Sequence, residues 1–195
     1  MINNKADLKR YLKQDALALR ITNRKRPKLF GDYVWKFEIL LRKTEYYYNV
    51  SKKHKLLKIP YLFARFRFSK WSLKLGFSIP LNAFEEGLSI AHYGSITVNS
   101  NTKIGKNCRL HEGVTIGATN GSLNAPIIGD NVFIGTGAKI IGDISIANDT
   151  AIGANAVVVK TISEGGCTYG GVPAEKISNN NSHSNLSPYI FDTKK

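Results

Sequence analysis

From about residue 88 onward, large aliphatic residues return every six positions. Val98, Ile104, Leu110, Ile116, Ile128, Ile134, Ile140, Ile146, Ile152 and Val158 share one phase. The absent member is Ser122, inside the polar, turn-rich GATNGSLNAP, which reads as a loop replacing one strand. Glycine follows the phase residue at 105, 117, 129, 135 and 153. Small or β-branched residues recur four positions after the phase residue, as at Cys108, Val132, Ala138 and Thr150. This period fits neither the 3.6-residue helix nor the two-residue alternation of a strand. It predicts a solenoid of short parallel strands, each pointing one aliphatic inward before the chain turns a corner. Three sides make a coil of about 18 residues, and coils stack about 4.8 Å apart through backbone hydrogen bonds. Cys108 is then a small inward residue and not a nucleophile.

The first 76 residues follow another rule. Leu8, Leu12, Ala16 and Leu19 mark one face of a helix over 7–20. Asn23–Lys28 is basic and contains Pro27, a break. A second helix is predicted from Tyr33 to about Val50, with Trp35, Ile39, Leu40 and Tyr47 on or near one face. After Pro60 comes YLFARFRFSKWSLKLGF, where aromatics interleave with Arg65, Arg67, Lys70 and Lys74. Three readings stay open: an amphipathic element on an anionic membrane, stacking and charge for nucleic acid, or a helix burying its aromatics against the neighbouring domain. No nucleic-acid module signature accompanies it, and nucleic acid is not an expected partner. The architecture expected is mostly β: a basic α-helical region over 1–76, a parallel β-helix over 77–177 with a loop at 118–125, and a tail over 178–195. The tail starts polar and flexible and ends near Tyr189-Ile190-Phe191.

Composition narrows the classes. The chain has 195 residues and 43% hydrophobic content, enough for one domain with a helical arm and too much for disorder. No apolar run approaches the roughly 18 residues of a spanning helix, and MINNKADLKRYLK lacks an apolar signal region. Two cysteines, Cys108 and Cys167, are read as too few for a disulfide framework or a four-ligand zinc site, and no metal is expected. Cytoplasmic localisation is the default expectation. The net charge of +14 is unevenly placed: residues 1–76 hold 20 Lys+Arg against 5 Asp+Glu, and residues 77–195 hold 8 against 9. A basic segment of this kind faces an anionic polymer or lipid, or is a solvated surface.

The repeat, with AHYGSITV (91–98), IGKNCRLHEGVTIG (104–117), IGTGAKIIGDISIANDTAIGANAVVVK (134–160) and Gly171-Val172-Pro173-Ala174, resembles the hexapeptide-repeat acyltransferases and, among them, the serine acetyltransferase type. The resemblance implies a left-handed parallel β-helix, acetyl-CoA as donor, a homotrimer with sites between adjacent prisms, and direct acetyl transfer to a hydroxyl. It places the catalytic histidine at His92, which also falls on the six-residue phase, six before Val98. An alcohol needs a base within hydrogen-bond reach and a donor for the developing oxyanion. His111, about one coil on, and Glu112 and Asn124 are expected around the acceptor. The family carboxylate before the histidine has no match in Phe77-Ser78-Ile79-Pro80, which leaves Glu85, Glu86 or a backbone carbonyl as the alternatives for orienting His92. Gly135, Thr136, Ala154, Val159, Lys160 and Gly171 are the positions implied for the donor, with Lys160 and Lys176 against its phosphates.

Two departures bear on the acceptor. Serine acetyltransferases carry Asp before the catalytic histidine and Arg-His before a later proline; here Ala91 and Asn124-Ala125 stand there. A buried ammonium or carboxylate would lack its partner. AHYGSI and KTEYYYN (43–49) also resemble capsule and exopolysaccharide acetyltransferases. The expectation is therefore an O-acetyltransferase acting on a saccharide or polysaccharide in cell-surface polysaccharide biosynthesis, with possible peripheral membrane contact. The alternatives are serine O-acetylation in cysteine biosynthesis, N-acetylation of an amino sugar, and a β-helix scaffold without catalysis.

Overall fold

The computed structural model describes residues 1–192; the end of the expected tail, 193–195, lies outside them. Helix α1 (Lys5–Ala18) starts at Asn4, whose side chain accepts from the Asp7 amide at 2.9 Å. Helix α2 spans Tyr33–Ser51 and helix α3 spans Lys58–Leu75. Gly76, at φ 76°, ends α3 and turns the chain into the solenoid.

The solenoid is a triangular prism of parallel strands. One face stacks Phe77–Ser78, Ile96–Val98, Thr115–Gly117, Lys139–Ile141 and Val157–Val158. The second stacks Lys103–Ile104, Ile127–Ile128 and Ser145–Ile146. The third stacks Ser89–Ile90, Arg109–Leu110, Phe133–Ile134, Ala151–Ile152 and Thr168–Gly170, closed by the antiparallel Glu175–Ser178. All ten in-phase aliphatics are buried along the axis. Burial pushes the Cys108 thiol up to about 12, in keeping with an inert inward residue.

The helical region departs from its expected faces. α1 buries Tyr11, Asp15 and Ala18, not the leucine stripe; α2 buries Trp35 and Leu40 as expected, but also Glu38, Arg42, Glu45 and Asn49 beside Phe37 and Leu41. The cause is an internal charge network. Arg42 donates to Asp15 at 2.7 and 3.3 Å, to Glu45 at 3.0 Å, and to the carbonyls of Phe84 and Glu85 at 2.9 and 2.7 Å. Asp15 accepts from the Gly87 and Leu88 amides at 2.8 and 2.9 Å, and Glu38 accepts from Ile90 at 2.9 Å. These bonds clamp both helices onto the first coil. Each bonded carboxylate or carbonyl removes a polar orphan from the interface.

The tail is ordered over its described part. Ser182, Leu186 and Ser187 are buried, and Ser187 donates to the Leu17 carbonyl at 2.6 Å. His183 meets Asp149 at 2.7 Å. Polar composition suggested flexibility, but these residues have carbonyl and carboxylate partners waiting on the prism and on α1.

Candidate active site

The corner that leads from the third face to the first carries most of the residues singled out above. Its successive levels hold residues 91–95, 111–114, 135–138 and 153–156, bonded level to level: Ala91 to the Leu110 carbonyl, His111 to Ile134 and Gly135 to Ile152 at 3.0, 3.1 and 2.8 Å. His92, His111, Glu112, Gly135, Thr136, Ala154 and Gly171 therefore line one edge of the prism.

His92 reaches this edge because the repeat is broken there. Ile90 pairs with Leu110, twenty positions on, whereas Val98 pairs with Ile116, eighteen on. Two extra residues thus lie between Ile90 and Val98. Ile90 and Ile96 take the inward positions, and His92 and Tyr93 are exposed. Gly94, at φ 141°, closes this insertion, a conformation closed to other residues. The inward position expected from the six-residue phase is thereby corrected.

The imidazoles of His92 and His111 stand edge to face with centroids 5.7 Å apart. His92, His111 and Glu112 each offer an atom within 4.8 Å of the others, a donor set that a divalent transition metal could also use. Thr136 Oγ1 lies 3.3 Å from His111 Nδ1. Burial, then the nearby Arg109, lowers the His111 pKa, so a neutral ring is favoured. Glu112 is held below the usual carboxylate range, first by its own backbone amide and further by the two histidines. Its Oε2 is enclosed without a hydrogen-bond partner.

Glu85 and Glu86 are not beside His92. Glu85 accepts from the Tyr11 hydroxyl and meets the N-terminal ammonium at 3.3 Å; Glu86 pairs with Arg10 at 2.6 Å and Lys106 at 3.3 Å. Both bind the helical region to the prism. The carboxylate near His92 is Glu112, whose spacing of one coil was the available signal. Asn124, Val159 and Lys160 sit on the next edge, which leads from the first face to the second. Asn124 donates there to Asp143 at 2.7 Å, remote from the histidine pair in the coil order. Lys176 is on the antiparallel closing strand and is tied to Glu164 at 2.6 Å. Gly135 is where coils touch: a Cβ there would meet the Ala154 nitrogen at 2.7 Å.

Residues 125–160 match the model of the bacterial transferase hexapeptide (six repeats). Fold and repeat together define the class: a left-handed β-helix carrying the repeat of the hexapeptide-repeat transferases. More particularly, the chain is similar to proteins named serine acetyltransferase. It is 38% identical over 90 residues to that of Mycobacterium tuberculosis, covering 45% of this chain and 39% of the relative. It is 37% identical over 87 residues to that of Helicobacter pylori, covering 43% and 50%. The chain thus spans half or less of these relatives' length. The crystal structure of serine acetyltransferase from Brucella abortus in complex with coenzyme A superposes with TM-score 0.70 at 25% identity, over 91% of this chain and 70% of that one. These relatives overturn the expectation of a saccharide acceptor in capsule or exopolysaccharide synthesis: they carry the name of the serine enzymes. The expectation weighed the charges lost at two matched positions, Ala91 and Asn124-Ala125, and gave no weight to the charge of Glu112, which it had placed around the acceptor and which lies beside His92 and His111.

Proposed function

We propose that this protein is an acetyl-CoA-dependent O-acetyltransferase whose acceptor is the hydroxyl of L-serine. The observation that carries the reading is the His92–His111–Glu112 cluster, set on the same prism edge as Thr136 and Ala154. In this reading His92 takes the proton of the serine hydroxyl while its oxygen attacks the thioester carbonyl. The tetrahedral intermediate collapses, the C–S bond breaks, and the imidazolium returns the proton to the leaving sulfur. No acyl-enzyme is needed. Glu112 stabilises the imidazolium and faces the serine ammonium, and His111, held neutral and beside Thr136, bonds the acceptor. The small residues of the edge, Gly135, Ala154 and Gly171, let the pantetheine arm run along it.

Val159 and Lys160 stand on a different edge, so one chain alone does not bring all donor positions together. In this reading the protein is a homotrimer, and a neighbour's edge set against this one supplies the remaining donor positions. The test is thiol release from acetyl-CoA with and without L-serine. Serine-dependent release is expected, and His92→Ala is expected to reduce it by about 10²–10⁴-fold with acetyl-CoA binding and assembly state retained. Bound acetyl-CoA with no serine-dependent release would overturn the proposal.

A further inference from the structure

Helix α3 is apolar on two opposite sides. One side faces the protein: Ala64, Phe68 and Leu75 are buried against α2 and the first coil. The other side is open. Ile59, Leu62, Phe63, Phe66 and Leu73 are 78, 63, 63, 58 and 81% exposed. At about 100° per residue these five fall within an arc of roughly 100° on the wheel, opposite the buried one. They form a stripe, not scattered apolar residues, and a contiguous patch of this kind marks an interaction surface.

Cations flank the stripe and enter it: on the same wheel Arg65, Arg67 and Lys74 lie to its sides, and Lys70 lies within it between Phe66 and Leu73. Residues 52–74 hold eight Lys and Arg and no Asp or Glu. Arg65, Arg67, Lys70 and Lys74 are all exposed. Lys70 Nζ lies 4.7 Å from the Phe66 ring centroid, and the Arg67 guanidinium carbon 5.8 Å from that of Phe63, so cations and open rings share one surface. These charges are not neutralised by neighbours within the helix, which contains no carboxylate.

The charge decides between occupants. A second copy docking through this face would set its cations against an identical set, on chains that each carry +14. An anionic bilayer does the reverse: it takes apolar side chains below the headgroups and pairs the flanking cations with phosphate. Among the described residues no helix is long and apolar enough to cross a membrane, so the contact lies in the interface plane. We propose that the outward face of α3 docks the protein on an anionic lipid surface. This goes beyond the acetyltransferase reading and does not depend on it.

The test is co-sedimentation of the full chain with vesicles of phosphatidylcholine containing half phosphatidylglycerol, against phosphatidylcholine alone. Binding to the anionic vesicles is expected to be stronger by roughly tenfold or more, and to weaken as salt rises from about 0.05 to about 0.5 M. Phe63→Glu with Phe66→Glu should abolish it without changing the circular dichroism or the melting temperature. Lys70→Glu with Lys74→Glu should weaken it independently. Absence of binding to anionic vesicles, or undiminished binding by both variants, would overturn the proposal. So would a wild type that ignores vesicles and forms larger species that Phe63→Glu with Phe66→Glu splits, for that would assign the face to a second copy.

Discussion

Arg42 is fully buried and makes five hydrogen bonds, to Asp15, Glu45 and two backbone carbonyls of the segment that opens the prism. Arg42→Met keeps much of the length of the side chain and removes the charge and every donor. Two buried carboxylates then lose their countercharge, and the Phe84 and Glu85 carbonyls lose their donor. Breaking a buried pair from one side costs about 3–5 kcal/mol. The orphaned carbonyls are part of that cost, not an addition to it. For a chain of this size, the cost corresponds to a fall in melting temperature of roughly 10 °C.

The pH dependence has a definite sign. Burial raises Asp15 and Glu45 above the usual carboxylate range even with Arg42 present, and removing the cation raises them further. A carboxyl whose folded pKa lies above its unfolded one gains protons on folding, so stability falls as pH rises through that window. The penalty of Arg42→Met should therefore shrink between pH 7 and pH 5. Urea unfolding at both pH values measures it. Adding Asp15→Asn to the variant should cost less than Asp15→Asn alone, since the introduced amide oxygen can still accept from the Gly87 and Leu88 amides and no buried cation is left unpaired. A penalty below about 1 kcal/mol at pH 7, or one that grows on acidification, would refute the view that this network fastens the helices to the prism.

Burial, reinforced by Asp15, raises Glu38 well above the usual range, so its charged form is disfavoured in the fold. Glu38→Gln should leave stability at pH 7 unchanged or increased, because the wild type gives up stability as pH rises past the unfolded carboxylate pKa; a loss above about 2 kcal/mol in urea unfolding would show a needed charge. Glu112→Gln should raise KM for L-serine and lower kcat while leaving acetyl-CoA affinity unchanged, as read by steady-state kinetics and calorimetry. An unchanged KM would remove Glu112 from the acceptor site. Gly135→Ala should destabilise by about 1–3 kcal/mol, since its Cβ would meet backbone of the next coil at 2.7 Å, whereas Gly117→Ala meets only the Ile141 Cδ1 at 3.4 Å and should cost less. Equal melting temperatures for the two variants would mean that Gly135 is not kept by coil stacking.

Legibility in the sequence followed the range of the interactions. The in-phase aliphatics were readable because a solenoid repeats one local environment, and a period survives in the chain wherever that environment does. The helical region was less so. Its faces are set by Arg42 reaching Asp15 and the Phe84 carbonyl, partners 27 and 42 positions away. A charged residue has no periodic signature that separates a solvated face from an internal clamp. For α3 the pattern was ambiguous for a physical reason. A helix with apolar arcs on opposite sides has little net amphipathicity, so the side that packs and the side left open look alike until the prism is in place.

The same reasoning explains why His92 was found by its motif but misplaced by its phase. Six residues separate it from Val98, so a strict repeat would turn the imidazole into the core, where no base can meet a substrate. The fold avoids this by adding two residues between Ile90 and Val98, so that Ile90 and Ile96 become the aliphatics of that corner. The insertion gives up one regular turn of a stack whose other enlarged coil carries the 118–125 loop, where Leu110 and Ile134 pair twenty-four positions apart. In return it lifts His92 and Tyr93 out of the lattice, one level from His111 and Glu112, which hold their places in it. A solenoid can place chemistry on its edge in this way without disturbing its core, because the strands above and below the break still pair in register. The break in the period, more than the period itself, is what points to the site.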